Sequence, residues 1–294
     1  MKRPENRGLM PLILPTFLAL VAITVLPILV TFGISLFYIN LTSPGGPAFV
    51  GLENYVDLFS DERFLNSLTV TVKLIFIPVA LQIVIGLMLA MVLKEKLPGT
   101  GWMRVAFLLP AVIPPAVSGL VWKLFIVPGA GGLSYGASLF GVDLTLDLLS
   151  MPSTALGVII AASVWVGTPF VALLLLSGLE SIGDDQYEAA RIDGANWFQQ
   201  HWHISVPTLI PVIVTVTVFR ILEALAIFPI IFVLTGGGPA GSTEPVNYYA
   251  YVNGFEYLRV DYAATIIFFF FVMMMTATAP FLVNIARREG REVR

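Results

Sequence analysis

Residues 188–195 read Glu-Ala-Ala-Arg-Ile-Asp-Gly-Ala, and this polar stretch, which continues to Pro207, separates two long apolar segments. Asp185 and Glu188 have the three-residue spacing of a capping box, which predicts that a short helix begins at Asp185. Gly194 can adopt the left-handed conformation in which many helices end, because it has no Cβ atom. The stretch therefore predicts a short helix followed by a glycine turn.

A second helix is predicted after the turn, since Asn196 and Gln199 repeat the capping-box spacing. Ala189, Ala190 and Ala195 have small side chains, so the surface of this region has few protrusions. Alanine is also the best helix former. A helix, turn and helix with such a smooth surface are suited to docking into a groove of another protein.

This stretch resembles a motif of a known family. Glu-Ala-Ala at 188–190, Gly194 and the ending Ile-Ser-Val-Pro at 204–207 resemble the EAA loop of the membrane subunits of ATP-binding-cassette importers. That loop usually ends in Ile-x-Leu-Pro, and Val206 replaces the leucine. The resemblance implies a cytoplasmic coupling helix that seats in a cleft of an ATPase subunit. It assigns ATPase coupling to Glu188, Ala189, Ala190, Asp193, Gly194 and Ala195.

Three further stretches resemble the carbohydrate branch of that family. They are Val-Gly-Leu-Glu-Asn-Tyr at 50–55, Leu-Pro at 109–110 through Pro-Pro at 114–115, and Thr-Gly-Gly-Gly-Pro at 235–239. The resemblance implies a sugar importer permease with six transmembrane helices, the MetI-like architecture, that works by alternating access. It also implies partners: a second homologous permease, two ATP-binding subunits, a periplasmic or lipid-anchored solute-binding protein, and membrane lipid.

Composition indicates a membrane protein independently of the resemblance. Hydrophobic residues make up 57% of the 294-residue chain and charged residues 12%, against roughly 45–50% and about 25% in soluble domains. Net charge is only −3 at pH 7. Cysteine is absent, which excludes disulfides, thiolate metal sites and a cysteine nucleophile.

Six apolar runs predict an all-α fold with six spans, because each has at least the ~20 residues needed to cross about 30 Å of hydrocarbon. The runs cover residues 9–37, 66–93, 105–127, 154–178, 207–234 and 261–286. Pro110, Pro114 and Pro115 lie in the third run and should break or bend it, because each removes an amide donor. We therefore expect a cytoplasmic N-terminus at 1–8, a transmembrane permease domain at 9–286 with a coupling loop at 179–206, and a cytoplasmic tail at 287–294.

The distribution of lysine and arginine predicts that both termini are cytoplasmic. With the N-terminus inside, the inner segments hold 11 of the 16 basic residues, namely Lys2, Arg3, Arg7, Lys94, Lys96, Arg104, Arg191, Arg287, Arg288, Arg291 and Arg294. Only Arg63 and Arg259 fall in outer loops, while Lys73, Lys123 and Arg220 lie in spans. The coupling loop is therefore expected in the cytoplasm, and the protein in the inner (cytoplasmic) membrane of a bacterial cell.

Sequence motifs for catalysis are absent. The chain has no Gly-x-x-x-x-Gly-Lys-Ser/Thr phosphate loop, no His-Glu-x-x-His helix and no nucleophile elbow. We expect no enzymatic activity, cofactor or metal in this chain, with ATP and magnesium bound by the partner subunits. His201 and His203 lie on different helix faces, which disfavours a metal site. No basic and aromatic patch suggests nucleic acid.

Two charged residues in the fifth apolar run need an explanation. Arg220 and Glu223 are three residues apart and share one helix face. Charges at membrane depth are costly and usually face a cavity or a partner. The pair either lines the translocation path and bonds substrate hydroxyls or forms a local structural ion pair. Trp165 and Phe228 either stack on a sugar ring or pack in the apolar interior. The candidate substrate path comprises Arg220, Glu223, Trp165, Phe228, Pro114 and Gly119.

The sequence does not identify the solute. The same machinery would suit glycerol phosphate, a polyol or a sulfonated sugar. An ion-coupled secondary transporter is the alternative from a different class, and it predicts membrane carboxylates and inverted repeats. Apart from Asp261, the first residue of the sixth run, the spans contain one carboxylate, Glu223, and no obvious repeat.

Overall fold

The computed structural model describes residues 10–42, 45–95 and 100–292. The helices in these ranges are α1 (Met10–Ser35), α2 (Glu53–Ser60), α3 (Glu62–Lys94), α4 (Thr100–Val112), α5 (Pro115–Phe125), α6 (Gly132–Ser138), α7 (Pro152–Glu180), α8 (Asp184–Ile192), α9 (Trp197–Gln200), α10 (Val206–Ala224), α11 (Phe228–Leu234), α12 (Val246–Tyr251) and α13 (Val260–Glu292). The same ranges contain π-helical segments at His201–Ser205 and Val252–Glu256 and the antiparallel strands β1 (Phe37–Tyr38) and β2 (Ala48–Phe49).

The described residues include five helices long and apolar enough to cross a membrane, and a bent pair brings the number to six. The bent pair is α4 and α5, which meet at 107°. α4 ends at Val112 and α5 begins at Pro115, so the chain breaks at the prolines that predicted the break. The expected all-α fold with six apolar spans is therefore confirmed.

The predicted fifth span is interrupted, which corrects the expectation of one helix over 207–234. α10 ends at Ala224 and α11 begins at Phe228. Pro229 explains the break, since it has no amide to donate to the carbonyl of Leu225, four residues earlier. Nδ2 of Asn247 donates to that carbonyl instead, at 3.1 Å.

The predicted loops also contain short elements that the hydrophobicity pattern does not reveal. β1, β2 and α2 lie within or beside 38–65, α6 lies within 128–153, and α12 lies within 235–260. The predicted N-terminal segment 1–8, Lys96 and Arg294 lie outside the described residues. α13 continues to Glu292, so residues 287–292 of the predicted tail are helical.

Contacts divide the chain into two units, residues 1–65 with 249–294 and residues 66–248. In the first unit, α1 packs on α13, and the rings of Phe32 and Phe268 lie 4.7 Å apart. Nδ2 of Asn54 donates to the carbonyl oxygens of Ser35 and Phe37, both at 2.9 Å. The Val-Gly-Leu-Glu-Asn-Tyr motif thus fastens α2 to the end of α1.

Asp61 caps α3 within the first unit. Its Oδ1 accepts from the backbone N–H groups of Arg63 at 2.9 Å and Phe64 at 3.2 Å, and its Oδ2 accepts from the hydroxyls of Tyr249 and Tyr262, each at 2.5 Å. Burial alone would raise the pKa of Asp61, but these hydrogen bonds outweigh it and hold the pKa below its usual value. Burial and the bond to Asp61 raise the pKa of Tyr249, which keeps its hydroxyl a donor.

The second unit is built on α3, α7 and α10. Its apolar core consists of Ala90, Met91, Leu93, Val171, Leu175, Leu176, Leu179, Ile182, Tyr187, Leu209 and Val216. Tyr187 belongs to α8, so the core extends from the apolar spans into the predicted coupling loop. This packing fixes where α8 sits against the ends of α3 and α7.

Candidate functional site

α8 forms the first helix of the predicted coupling surface. It begins at Asp184 with Gly183 as N-cap, and no side chain caps it. The N-cap therefore lies two residues before Asp185, the predicted capping residue, and Asp185 and Glu188 do not form a capping box. Asp184 and Asp185 instead lie in the first turn, where negative charge is favourable to the helix dipole.

The glycine turn after α8 has the predicted geometry. Gly194 has φ +80°, in the left-handed region. The N–H of Ala195 donates to the carbonyl of Ala190 at 2.9 Å, and the N–H of Gly194 donates to that of Arg191 at 3.0 Å. These two bonds form a Schellman motif, which satisfies the last carbonyls of the helix.

The second helix has the predicted capping box. Oδ1 of Asn196 accepts from the N–H of Gln199 at 2.9 Å, and Oε1 of Gln199 accepts from the N–H of Asn196 at 2.9 Å. α9 then continues through the π-helical segment into α10. Because the cap fixes the direction of α9, it also fixes the turn that presents residues 188–195.

The predicted coupling residues are at the surface. Glu188, Ala189, Asp193 and Gly194 are exposed, and Ala190 and Ala195 are half-buried. The surface also includes an apolar residue, Ile192, which is 87% exposed and which the motif did not single out. The sequence contained a signal for it, since Ile192 lies five residues after Tyr187 and thus on the opposite side of the helix.

A polar cavity of about 560 Å³ lies behind this surface. Its lining includes Lys94, Glu95, Glu180, Asp184, Tyr187, Glu188, Arg191, Gln200 and His201. His203 lies apart from this lining, with its Nδ1 2.9 Å from the carbonyl oxygen of Gln199. Within the described ranges, no cluster of three or more His, Asp or Glu side chains could hold a metal ion.

Arg220 and Glu223 line a second cavity, of about 360 Å³, among the spans of the second unit. Nε of Arg220 donates to Oε1 of Gln82 at 2.9 Å, and NH1 of Arg220 is paired with Oε2 of Glu223. Nε2 of Gln82 donates to the carbonyl of Ser163 at 2.8 Å. The side chain of Arg220 is 12% exposed and that of Glu223 is 54% exposed. The cavity therefore offers both charged groups to a solute while Gln82 holds the guanidinium.

The broken third span contributes to the wall of this cavity. Ala111, Ile113 and Pro115 line it, together with apolar residues of α3, α7 and α11. The chain is not helical at residues 113 and 114, so this part of the wall is formed where one helix ends and the next begins.

Four of the predicted path residues do not line the cavity of Arg220. Trp165 lines a separate apolar cavity of about 650 Å³ and meets Trp122 edge-on, with ring centres 6.3 Å apart. Phe228 packs against Phe232 and Tyr248. Pro114 is the N-cap of α5, and Gly119 lies close to the backbone of Ile230. A role of these four residues in the solute path therefore stays a prediction.

Gln82, which lines this cavity, and Gly167, which lies against Arg220 and Gln82, are two residues that the sequence did not assign to the site. Gln82 is 1% exposed, and a buried amide in a span has to be hydrogen-bonded. A Cβ atom on Gly167 would lie 2.3 Å from NH2 of Arg220 and 2.5 Å from Nε2 of Gln82. Gly167 is therefore what gives the guanidinium its room. The sequence contained a signal for Gln82, because a lone glutamine in an apolar run needs a hydrogen-bond partner. It contained no signal for Gly167.

Comparison with known proteins gives a consistent result. Residues 82–289 match the family described as the inner membrane component of binding-protein-dependent transport systems. The trehalose/maltose transport system permease protein MalF of Thermococcus litoralis is 39% identical over 240 residues, which cover 82% of this chain and 81% of that protein. The trehalose transport system permease protein SugA of Mycobacterium tuberculosis is 36% identical over 262 residues, covering 89% and 83%.

The fold is shared with a solved transporter. One chain of the crystal structure of a bacterial ABC transporter involved in the import of the acidic polysaccharide alginate aligns with a TM-score of 0.78. The identity is 22%, and 96% of each chain is covered. This likeness concerns the arrangement of the helices.

Proposed function

The chain belongs to the family of inner membrane components of binding-protein-dependent transport systems, and we propose that it is the permease subunit of an ATP-driven sugar importer. The observation that carries the proposal is the family match over residues 82–289, which includes the coupling surface and all the lining residues of the cavity of Arg220 except Leu74 and Pro78. The sugar class is supported by the names of the relatives, which describe trehalose and maltose transport.

In the proposed assembly, this chain pairs with a second homologous permease and with two ATP-binding subunits. Residues 188–195 supply the surface that seats in a cleft of an ATP-binding subunit. The Schellman turn at Gly194 and the capping box of α9 support this role, because they hold the exposed residues in one conformation. ATP and magnesium bind in the partner subunits, since the chain lacks a phosphate loop.

The cavity of Arg220 is the proposed solute path. Arg220 and Glu223 offer hydrogen-bond donors and acceptors to sugar hydroxyls, and the apolar wall excludes competing water. Closure of the ATP-binding subunits would move α8, and the spans would then expose the cavity to the outer side. Such a shift needs interactions that differ between the two states, and contacts of the ATP-binding subunits inside and of the solute-binding protein outside would supply them.

We place the protein in the bacterial inner membrane with both termini in the cytoplasm. The distribution of basic residues supports this orientation. Residues 1–8 and 287–294 are then cytoplasmic, and residues 9–286 form the permease domain. α6 and the Thr-Gly-Gly-Gly-Pro stretch face the outside, where a solute-binding protein delivers its ligand.

Arg220 favours one alternative, an anionic solute such as glycerol phosphate or a sulfonated sugar. A guanidinium is well suited to holding a phosphate or sulfonate through two hydrogen bonds. In the structure its NH1 is paired with Glu223, so an anionic solute would have to compete with that carboxylate. A neutral sugar does not have to displace the carboxylate of Glu223 from Arg220, so we propose a neutral sugar as the solute.

Reconstituted transport tests the proposal. The four-subunit membrane complex would be placed in liposomes with ATP inside, and uptake of radiolabelled trehalose and maltose would be measured with and without the solute-binding protein. We expect uptake that requires both ATP and the binding protein. Uptake that needs neither and follows an ion gradient would identify a secondary transporter and overturn the proposal.

A further inference from the structure

A buried chain of hydrogen bonds joins α8 to the π-helical segment that precedes α10. The hydroxyl of Tyr187 lies 2.8 Å from Oγ of Ser205, and this Oγ lies 2.7 Å from Nδ1 of His201. All three residues are buried, and Ser205 is 0% exposed. Because solvent does not reach Ser205, its polar contacts have to come from the protein.

The number of available hydrogens determines which group donates each of these hydrogen bonds. Ser205 has one hydroxyl hydrogen, so one of its two neighbours has to donate to it. Nε2 of His201 faces Oε1 of Glu95 at 3.6 Å, and the same Oε1 accepts from Nε1 of Trp197 at 2.8 Å. A carboxylate favours an N–H on Nε2, which leaves Nδ1 as an acceptor. Tyr187 therefore donates to Ser205, and Ser205 donates to His201.

The end of α3 holds the other side of Tyr187. Nζ of Lys94 lies 3.8 Å from the centre of the tyrosine ring, within the range of a cation–π interaction. The same Nζ donates to the carbonyl oxygen of Leu179 at 3.1 Å. Side chains or carbonyls of α3, α7 and α8 and of the segment leading into α10 thus converge around one tyrosine.

Two covalent links join α8 to its neighbours, and the second is ordered by the turn at Gly194 and the capping box of α9. Residues 181–183 connect α8 to α7, and residues 193–196 connect it to α9, and neither link is helical. The buried chain of hydrogen bonds adds a direct side-chain connection between α8 and the segment that leads into α10.

We propose that Tyr187, Ser205 and His201 form a latch that transmits displacement of α8 to α10, with Ser205 as its central positioning residue. The inference rests on the proposed function, in which the ATP-binding subunit moves α8. α10 contains Arg220, so the latch links the coupling surface to the helix that lines the solute cavity. Breaking the latch uncouples ATP hydrolysis from transport.

The three residues are not equivalent, and the difference makes the inference testable. Ser205→Ala leaves two buried groups without a partner, the hydroxyl of Tyr187 and Nδ1 of His201. Tyr187→Phe removes only one donor, and Ser205 still donates to His201. The double variant leaves only Nδ1 of His201 without a partner, so it should be less impaired than Ser205→Ala alone. The effects of the two single substitutions are therefore not expected to add in the double variant, because all three residues share one series of hydrogen bonds.

The experiment measures solute moved per ATP hydrolysed by the complete complex in liposomes. Ser205→Ala should lower this ratio about tenfold, the effect of stranding one or two buried polar groups. Tyr187→Phe and the double variant should also lower it, because each removes the bond between α8 and Ser205, and Ser205→Ala should lower it most because it also strands two buried polar groups. Tyr135→Phe is the matched control, because Tyr135 is 69% exposed and lies in α6. A wild-type ratio in Ser205→Ala, in a complex that assembles normally, would overturn the inference.

A second measurement reports the latch directly and does not depend on transport. Spin labels on cysteines at Gln186 of α8 and Thr208 of α10, both exposed, give the distance between the two helices. The absence of native cysteine leaves no background from this chain. We expect a narrow distance distribution in the otherwise native complex and a broad one in Ser205→Ala. A distribution that stays narrow in Ser205→Ala would overturn the inference.

The two measurements separate the latch from the proposed function. If the native complex shows no ATP-dependent, binding-protein-dependent uptake, the proposed function fails, and the spin-label distances still decide whether the latch exists. If Ser205→Ala does not assemble, Tyr187→Phe carries the test. In that variant a wild-type transport ratio together with an unchanged distance distribution would refute the latch.

Discussion

Nε of Arg220 donates a hydrogen bond to Oε1 of Gln82 at 2.9 Å, which fixes the guanidinium of α10 against α3. The same amide donates through Nε2 to the carbonyl of Ser163 in α7 at 2.8 Å. One buried side chain thus joins three spans beside the proposed solute path. The position of the guanidinium therefore depends on residues that need not touch the solute.

Gly167→Ala tests that dependence. The added Cβ would lie 2.3 Å from NH2 of Arg220, so the end of the arginine has to move and its bond to Gln82 is strained or lost. We expect uptake to fall about tenfold, the effect of losing roughly one buried hydrogen bond. Gly157→Ala is the control in the same helix, because nothing lies within 4 Å of its added Cβ. Equal uptake by the two variants would show that the position of Arg220 does not matter.

Arg220→Leu separates a path residue from a structural ion pair. We expect the complex to assemble, because Gln82 keeps its bond to Ser163 and Glu223 is half exposed. Uptake should fall, and it should fall further for an anionic solute than for a neutral sugar. If the pair is structural, Arg220→Leu should instead destabilise the complex by about 3–5 kcal/mol. Changing Glu223 to Gln in the same chain should then restore the stability. Lys73→Leu, at an exposed position in α3, is the control.

The parts of the fold that were predictable depend on local sequence. Span length follows from continuous hydrophobicity, the break between α4 and α5 follows from Pro114 and Pro115, and the capping box of α9 follows from the spacing of Asn196 and Gln199. The turn at Gly194 is of the same kind. Each of these features depends only on residues that are continuous in sequence, either one apolar run or one or two helical turns.

The parts that could not be predicted depend on contacts between distant residues. Gln82 and Arg220 are 138 positions apart, and no local pattern pairs them. The contact of Trp165 with Trp122 likewise has no local signal in the sequence. The break after Ala224 was signalled by Pro229, but the bond from Asn247 that satisfies the freed carbonyl was not.

Asp61 should give the first unit a pH-dependent stability. Its pKa is lowered in the folded chain, so its contribution is complete above the unfolded-state pKa of about 3.9 and is lost as the pH falls toward the folded pKa. We expect Asp61→Asn to lower the melting temperature in nanodiscs at pH 7, and the difference from the native chain to shrink as the pH drops below 4. Asp57→Asn, on the exposed face of α2, should change little. A pH-independent difference would argue against the role of the carboxylate.

Thiol labelling tests the orientation. Ser138 and Ser181 are both exposed in the structure, and the native chain has no cysteine to react. A cysteine at Ser138 should react with an impermeant maleimide added to intact cells stripped of any outer membrane barrier, and one at Ser181 should react only after the membrane is opened. The opposite pattern would place the coupling surface outside and remove its proposed role.

Gly194→Val should uncouple the permease from its ATP-binding subunits. The residue has φ +80°, where a left-handed conformation costs an L-residue roughly 1–2 kcal/mol and a β-branched one more. The variant can relieve the strain by leaving the Schellman turn, which would reorient Glu188 through Ala195.

The spans do not depend on this turn, so the variant should still insert and reach the membrane in normal amounts. We expect its ATPase stimulation by the solute-loaded binding protein to fall about tenfold, the effect expected from this strain. Gly183→Ala is the matched control at the other end of α8, because Gly183 has φ −59°, which alanine adopts freely. Wild-type stimulation and uptake in Gly194→Val would show that the conformation of this turn does not determine contact with the ATP-binding subunit.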